Sequence, residues 1–174
     1  MSASSIFLVG PMGAGKTTVG KKLAEQRGQH FFDSDHEIEV RTGVDIAFIF
    51  EKEGEEGFRK REEQVIEDLS ARPGIVLATG GGAILRPDNR RVLKSRGYVV
   101  YLHASVAQQF SRVERSENRP LLAQGDRRET LARLFAERDP LYREVADLVL
   151  DTDGKNAKLL ARDIELAMTA AVTP

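Results

Sequence analysis

"IFLVGPMGAGKTTVG", residues 6–20, is the stretch from which the fold can be read. Gly10, Gly15, Lys16 and Thr17 fit the spacing G-x-x-x-x-G-K-[ST]. A glycine-rich string alone marks only a tight turn, because glycine tolerates positive φ. A working phosphate loop needs more: a buried strand before it and a helix opening inside it. Ile6 to Val9 is wholly apolar, as a strand covered on both faces should be. Beyond the loop, Val19, Leu23 and Ala24 recur at helical spacing until Gly28 offers a stop. The backbone N–H groups of Gly13, Ala14, Gly15, Lys16, Thr17 and Thr18 are then expected to converge on an anion at the helix N-terminus. Lys16 would reach the β- and γ-phosphates, and the Thr17 hydroxyl would ligate Mg²⁺. The ligand class is a nucleoside triphosphate with its metal.

The rest of the chain bounds what such a loop can serve. A length of 174 residues suits one domain with a core of its own. With no cysteine, disulfides, thiolate metal sites and a cysteine nucleophile are excluded. A net charge of −1 argues against a sequence-independent nucleic-acid or membrane-surface binder. The first apolar run is too short for a secretory signal, and none approaches the roughly 20 residues of a transmembrane helix. A cytoplasmic protein is expected. Further strands are read at His30 to Asp33, Ile75 to Thr79, Tyr98 to Leu102 and Leu148 to Leu150. Helical patterns alternate with them: "DIAFIFEKEG" behind a capping Asp45, "EEGFRKREEQVIEDLS", "DNRRVLKSRG", "SVAQQFSRVERS", "RETLARLFAERD", and a last helix from about Ala157 to Ala170. Such alternation predicts an α/β fold, a parallel sheet with helices on both faces. Ligands of such sheets sit at the carboxyl ends of the strands.

Four features fall on that rim. "DSD" brings Asp33 and Asp35 after the second strand, and "TGGG", Thr79 to Gly82, follows the third. Arg59 opens the helix after "EKEGEEG", while Arg119 and Arg138 stand in "NRPLL" and "ERDPLYR". Each has a plain reading. D-x-D often caps a helix. Three glycines make a turn, although three in a row suggest that something approaches the backbone closely. Arg59 can pair with Glu62 or Glu63 along its own helix, Arg119 can be a solvated loop residue, and Arg138 a surface arginine. Together they place two carboxylates, a glycine platform and separated arginines around one phosphate loop. That is equipment for a small acceptor bearing hydroxyls and an acidic group. His30, His36 and His103 lack metal-ligand spacing and read as structural or surface residues.

The combination of D-x-D, F-R-x-x-E, G-G-G and R-P-L-L with the loop resembles the shikimate kinase family from Ile6 to about Lys155. The resemblance implies a three-layer α/β/α P-loop kinase fold like that of nucleoside monophosphate kinases. Its parts are a five-stranded parallel sheet, a helical substrate-binding segment (about 34–64) and a mobile lid (about 114–127). It implies ATP- and Mg²⁺-dependent phosphorylation of the 3-hydroxyl of shikimate, on the way to chorismate and the aromatic amino acids, by a monomer. By the same resemblance Asp35 takes the shikimate hydroxyls and acts as the base, and Asp33 holds a water of the Mg²⁺ shell. Arg59 and Arg138 grip the shikimate carboxylate, with backbone groups of Gly81 and Gly82 completing the pocket. Arg119 belongs to the lid and reaches the transferring phosphoryl group; Arg112 lies against adenine, and Lys155 aligns with another adenine-side contact.

Two other readings use the same loop. A related kinase could act on gluconate or a nucleoside monophosphate, but paired arginines with D-x-D favour a hydroxylated carboxylic acid. A GTP-dependent switch would carry a guanine-reading N-K-x-D, which is missing, and its D-x-x-G occurs only at Asp151 to Gly154, after the last strand.

Overall fold

The computed structural model describes residues 4–114 and 126–172. Five strands, β1 (Ile6–Val9), β2 (His30–Asp33), β3 (Ile75–Ala78), β4 (Tyr98–His103) and β5 (Leu148–Asp151), form one sheet in the order β2-β3-β1-β4-β5. All pairs are parallel; Ile6 stands opposite Val76 on one side and Tyr98 on the other. The unbroken apolar runs are the interior strands, with β1 and β3 buried throughout, while the edge strands β2 and β5 are partly exposed.

Alternation along the strands splits the core in two. Phe7, Val9, Leu77, Val99 and Tyr101 face α3 (Ile46–Ser70), α4 (Pro87–Arg96) and α6 (Arg127–Val145). Ile6, Leu8, Val76, Val100 and Leu102 face α1 (Lys16–Arg27) and α7 (Ala157–Val172). The result is three layers, α/β/α, as expected. Each of these fully buried side chains contributes about 1.5–3 kcal/mol. Two further helices, α2 (Ser34–Thr42) and α5 (Val106–Val113), line the rim.

Three helical details depart from the sequence reading. The "EKEGEEG" segment is not a loop between two helices. The two helical patterns instead meet directly at a kink, where Gly54 alone leaves helical geometry (φ 73°, ψ −179°). The pattern ending at Asp139 continues through Pro140 to Val145. Proline removes one helical N–H there, but Leu134 and Arg138 before it and Tyr142 and Val145 after it are buried, so packing carries the helix across. The nine-residue α2 in "DSDHEIEVRT" is not among the helical patterns, although D-x-D can cap a helix and the resemblance implies a helical segment there.

Candidate active site

Topology delivers the chemistry to one edge. The phosphate loop follows β1, Asp33 ends β2, Thr79 to Gly82 follow β3, α5 follows β4, and Lys155 follows β5. A cavity of about 710 Å³ opens there, and it is lined by every residue assigned above to ATP, metal or acceptor except Arg119, which lies outside the described residues.

On the nucleotide side, Gly15 sits at φ 90° as the N-cap of α1, and no side chain caps that helix. A side chain at Gly15 would be strained in this conformation, and the first N–H groups of the helix remain available to an anion. The cradle therefore fits a polyphosphate. Lys16 Nζ donates to the Gly10 and Pro11 carbonyls at 2.6 and 2.8 Å, which folds the side chain across the loop. Thr17 Oγ1 donates to Asp33 Oδ2 at 2.8 Å. The other Asp33 oxygen accepts from the Asp35 and His36 N–H groups at 3.0 and 3.2 Å. The plain and chemical readings of D-x-D thus coexist: one oxygen of Asp33 caps α2 and the other faces the loop. No cluster of three or more His, Asp or Glu side chains stands ready for a metal among the described residues. A hydroxyl beside one carboxylate suits instead Mg²⁺ completed by phosphate oxygens and water. Arg112 Nη1 donates to the Gly13 carbonyl at 2.9 Å, and Lys155 Nζ lies 3.7 Å from Asp163.

On the acceptor side, the charges are buried. Arg59, Glu62 and Arg138 are 6%, 1% and 4% exposed. Arg59 donates to Glu62 Oε1 at 3.0 Å and to Glu55 Oε1 at 3.2 Å. Its pairing with Glu62 is the plain reading, yet on a buried face and not an exposed one. The Nε–H groups of Arg59 and Arg138 and Oε2 of Glu62 have no hydrogen-bond partner among the described residues. Unsatisfied buried donors on two guanidinium groups are costly unless an anion meets them. Burial pushes the Glu62 carboxyl up to about 7; Arg59 and Arg138 pull it down and Asp35 pushes it further up.

The triple glycine is explained by what crowds it. A Cβ on Gly80 would lie 2.6 Å from Asp35 Oδ1 and 3.0 Å from Glu62 Oε2, and one on Gly82 would collide with the Arg59 guanidinium. The site's own charged side chains press on the platform. From the far side, Tyr142 donates its hydroxyl proton to the Gly81 carbonyl at 2.6 Å. Arg138, one turn earlier on α6, interacts electrostatically with the same hydroxyl.

Sequence reasoning gave no role to Glu62, Phe50, Tyr142 or His36, all of which belong here. Glu62 closes the F-R-x-x-E motif, and Phe50 packs 4.9 Å from Phe58, over whose ring Arg59 stands at 5.2 Å. His36, read as a structural or surface residue, is exposed and lines the cavity. Its place on α2 turns it toward the site.

The sequence model of shikimate kinase matches residues 12–169. The chain belongs to the shikimate kinase family. The shikimate kinase of Shewanella frigidimarina is 56% identical over 160 residues, 92% of this chain and 94% of the relative. A solved shikimate kinase from Acinetobacter baumannii, in complex with shikimate, superposes with a TM-score of 0.96 at 51% identity, covering 98% of this chain and 96% of that one. The Aquifex aeolicus shikimate kinase gives 0.84 at 34% identity over 96% and 97%. Members of the shikimate kinase family are phosphotransferases that use ATP and act on an alcohol group. No helix among the described residues is long and apolar enough to cross a membrane.

Proposed function

We propose that this chain transfers the γ-phosphoryl group of ATP to the 3-hydroxyl of shikimate. The observation that carries the reading is the convergence of two buried arginines, Arg59 and Arg138, with Asp35 and the Gly80–Gly82 platform, at the mouth of the phosphate loop. Planar guanidinium forks suit a carboxylate, and their unmet Nε–H groups supply the reason to bind one. Held by its carboxylate, the acceptor presents hydroxyls to Asp35. A carboxylate is too weak a base to ionise an alcohol beforehand, so Asp35 orients the 3-hydroxyl and takes its proton as the bond to phosphorus forms. Gly81 and Gly82 backbone groups complete the acceptor pocket.

The residues from Gly13 to Thr18 hold the triphosphate, and Lys16 swings from the Gly10 and Pro11 carbonyls to the β- and γ-phosphates. Thr17 and, through water, Asp33 fit Mg²⁺, which when bound neutralises phosphate charge. Arg112 and Lys155 border adenine. Arg119 keeps the role the resemblance gives it, contact with the transferring phosphoryl group. Positioning and charge neutralisation account for most of the catalysis of such a transfer. The reading takes one domain, residues 1–174, with its substrate-binding segment at about 34–64 and its lid at about 114–127. It takes a monomer in the cytoplasm, where a cysteine-free chain asks for no oxidising compartment.

A coupled ADP-release assay with MgATP tests the reading against shikimate, gluconate and AMP. Turnover with shikimate alone is expected; turnover on gluconate or AMP but not on shikimate overturns it.

A further inference from the structure

The charge of the acceptor pocket does not balance for an anionic ligand. Arg59 and Arg138 bring two positive charges, Asp35 and an ionised Glu62 two negative ones. An arriving carboxylate would leave the buried site with a surplus negative charge unless a proton entered with it. Glu62 is the group built to take that proton. One oxygen, Oε1, is held by Arg59 at 3.0 Å, and the other, Oε2, is buried without a donor among the described residues. Across Gly80, Oε2 faces the Asp35 carboxylate, the two groups meeting the same glycine at 3.0 and 2.6 Å from its missing Cβ. An unsatisfied buried carboxylate oxygen pointed toward another carboxylate is where an O–H is favoured over a lone pair.

We propose that Glu62 is the charge-balancing residue of the acceptor pocket: it takes up a proton from solvent, on Oε2, as an anionic carboxylic-acid acceptor binds between Arg59 and Arg138. This rests on the acceptor assignment made above. The bookkeeping is one proton in for one carboxylate in. No covalent bond to the acceptor changes.

Burial and Asp35 push Glu62 toward the protonated form, while Arg59 and Arg138 oppose it in the empty site. Arg59 and Glu55 flank Glu62 on its own helix, Asp35 faces it from α2, Arg138 and Tyr142 from α6, and Arg86 interacts from the segment before α4. A bound carboxylate draws on both arginines, adds a like charge and expels water, and each effect favours the protonated form. In the empty site burial already lifts the Glu62 carboxyl to about 7. Binding should therefore weaken above that pH, by up to tenfold per unit, until the proton is no longer taken up. His36 also lines the cavity and carries a basic side chain, so the experiment separates the two.

The test is calorimetric titration of the full chain with shikimate at pH 7.5, in phosphate and in Tris at equal ionic strength. The difference in observed heat counts protons. Wild type should take up between a half and one proton per shikimate bound, His36→Asn should keep that number, and Glu62→Gln should take up none. A count of zero in wild type, an unchanged count in a folded Glu62→Gln, or a count lost in His36→Asn overturns the proposal. Should Glu62→Gln fail to fold, the wild-type and His36→Asn counts still decide. A wild-type protein that does not bind shikimate at all would instead overturn the acceptor assignment itself.

Discussion

The Arg59 guanidinium reaches Glu62 and Glu55 with its two terminal nitrogens and leaves Nε–H facing no partner among the described residues. A lysine there would keep the charge and lose the fork. Arg59→Lys should weaken shikimate binding by about 10- to 150-fold, the equivalent of one charge-assisted hydrogen bond. ATP affinity should hold; calorimetry with each ligand decides, and an ATP-specific defect would remove Arg59 from the acceptor pocket. Glu62 also bears on folding. Its carboxyl moves from an ordinary 4.5 to about 7 on burial, so between those values the folded chain binds more protons than the unfolded one. Stability from this group is therefore full below about pH 4.5 and is lost as pH rises to about 7. Glu62→Gln should flatten that slope, with the difference from wild type changing by about 3 kcal/mol across the window in urea denaturation. Parallel pH profiles for the two proteins would place the Glu62 carboxyl near its ordinary value.

At the level of the elements, the Tyr142 side chain ties α6 to the glycine platform. The Tyr142 hydroxyl donates to the Gly81 carbonyl and interacts electrostatically with Arg138, so helix and platform meet at the proposed acceptor pocket. Tyr142→Phe keeps the ring buried and removes that link. Its effect should be a rise in KM for shikimate of about 3- to 10-fold, from the loss of about one hydrogen bond, with KM for ATP and the unfolding midpoint nearly unchanged. An equal rise in both KM values would make Tyr142 a packing residue only. Much of this arrangement was legible beforehand. The interior strands are apolar runs bounded by turn residues, and the loop motif fixes where β1 ends and α1 begins. What escaped is what depends on contacts across elements. Pro140 stops a helix in isolation but not one packed on both sides of it. Gly54 suggests a loop where only one residue leaves helical geometry. Glu62 lies three residues after Arg59, so their pairing could be read from spacing; that Asp35 and Gly80 close in from other elements could not.

Over the whole molecule, the two halves of the cavity draw on different layers. The phosphate loop and α1 and α7 belong to one face of the sheet, while α3 and α6 carry Arg59 and Arg138 on the other. Each ligand therefore stabilises the fold through its own set of contacts, and the two responses can be separated. A ligand that binds only the folded state at 100 times its Kd adds about 2.7 kcal/mol. For a chain of this size that raises the midpoint by about 5–11 °C. Lys16 is partly exposed and touches loop carbonyls, not the core, so Lys16→Met should leave the acceptor half intact. The expected outcome is that Lys16→Met shows no measurable phosphoryl transfer yet keeps the full thermal shift with shikimate. Near-normal turnover in that variant would mean that the loop lysine does not act on the phosphates. Loss of the shikimate shift together with turnover would mean that Lys16 supports the fold of the acceptor half, and the separation of the two halves drawn here would fail.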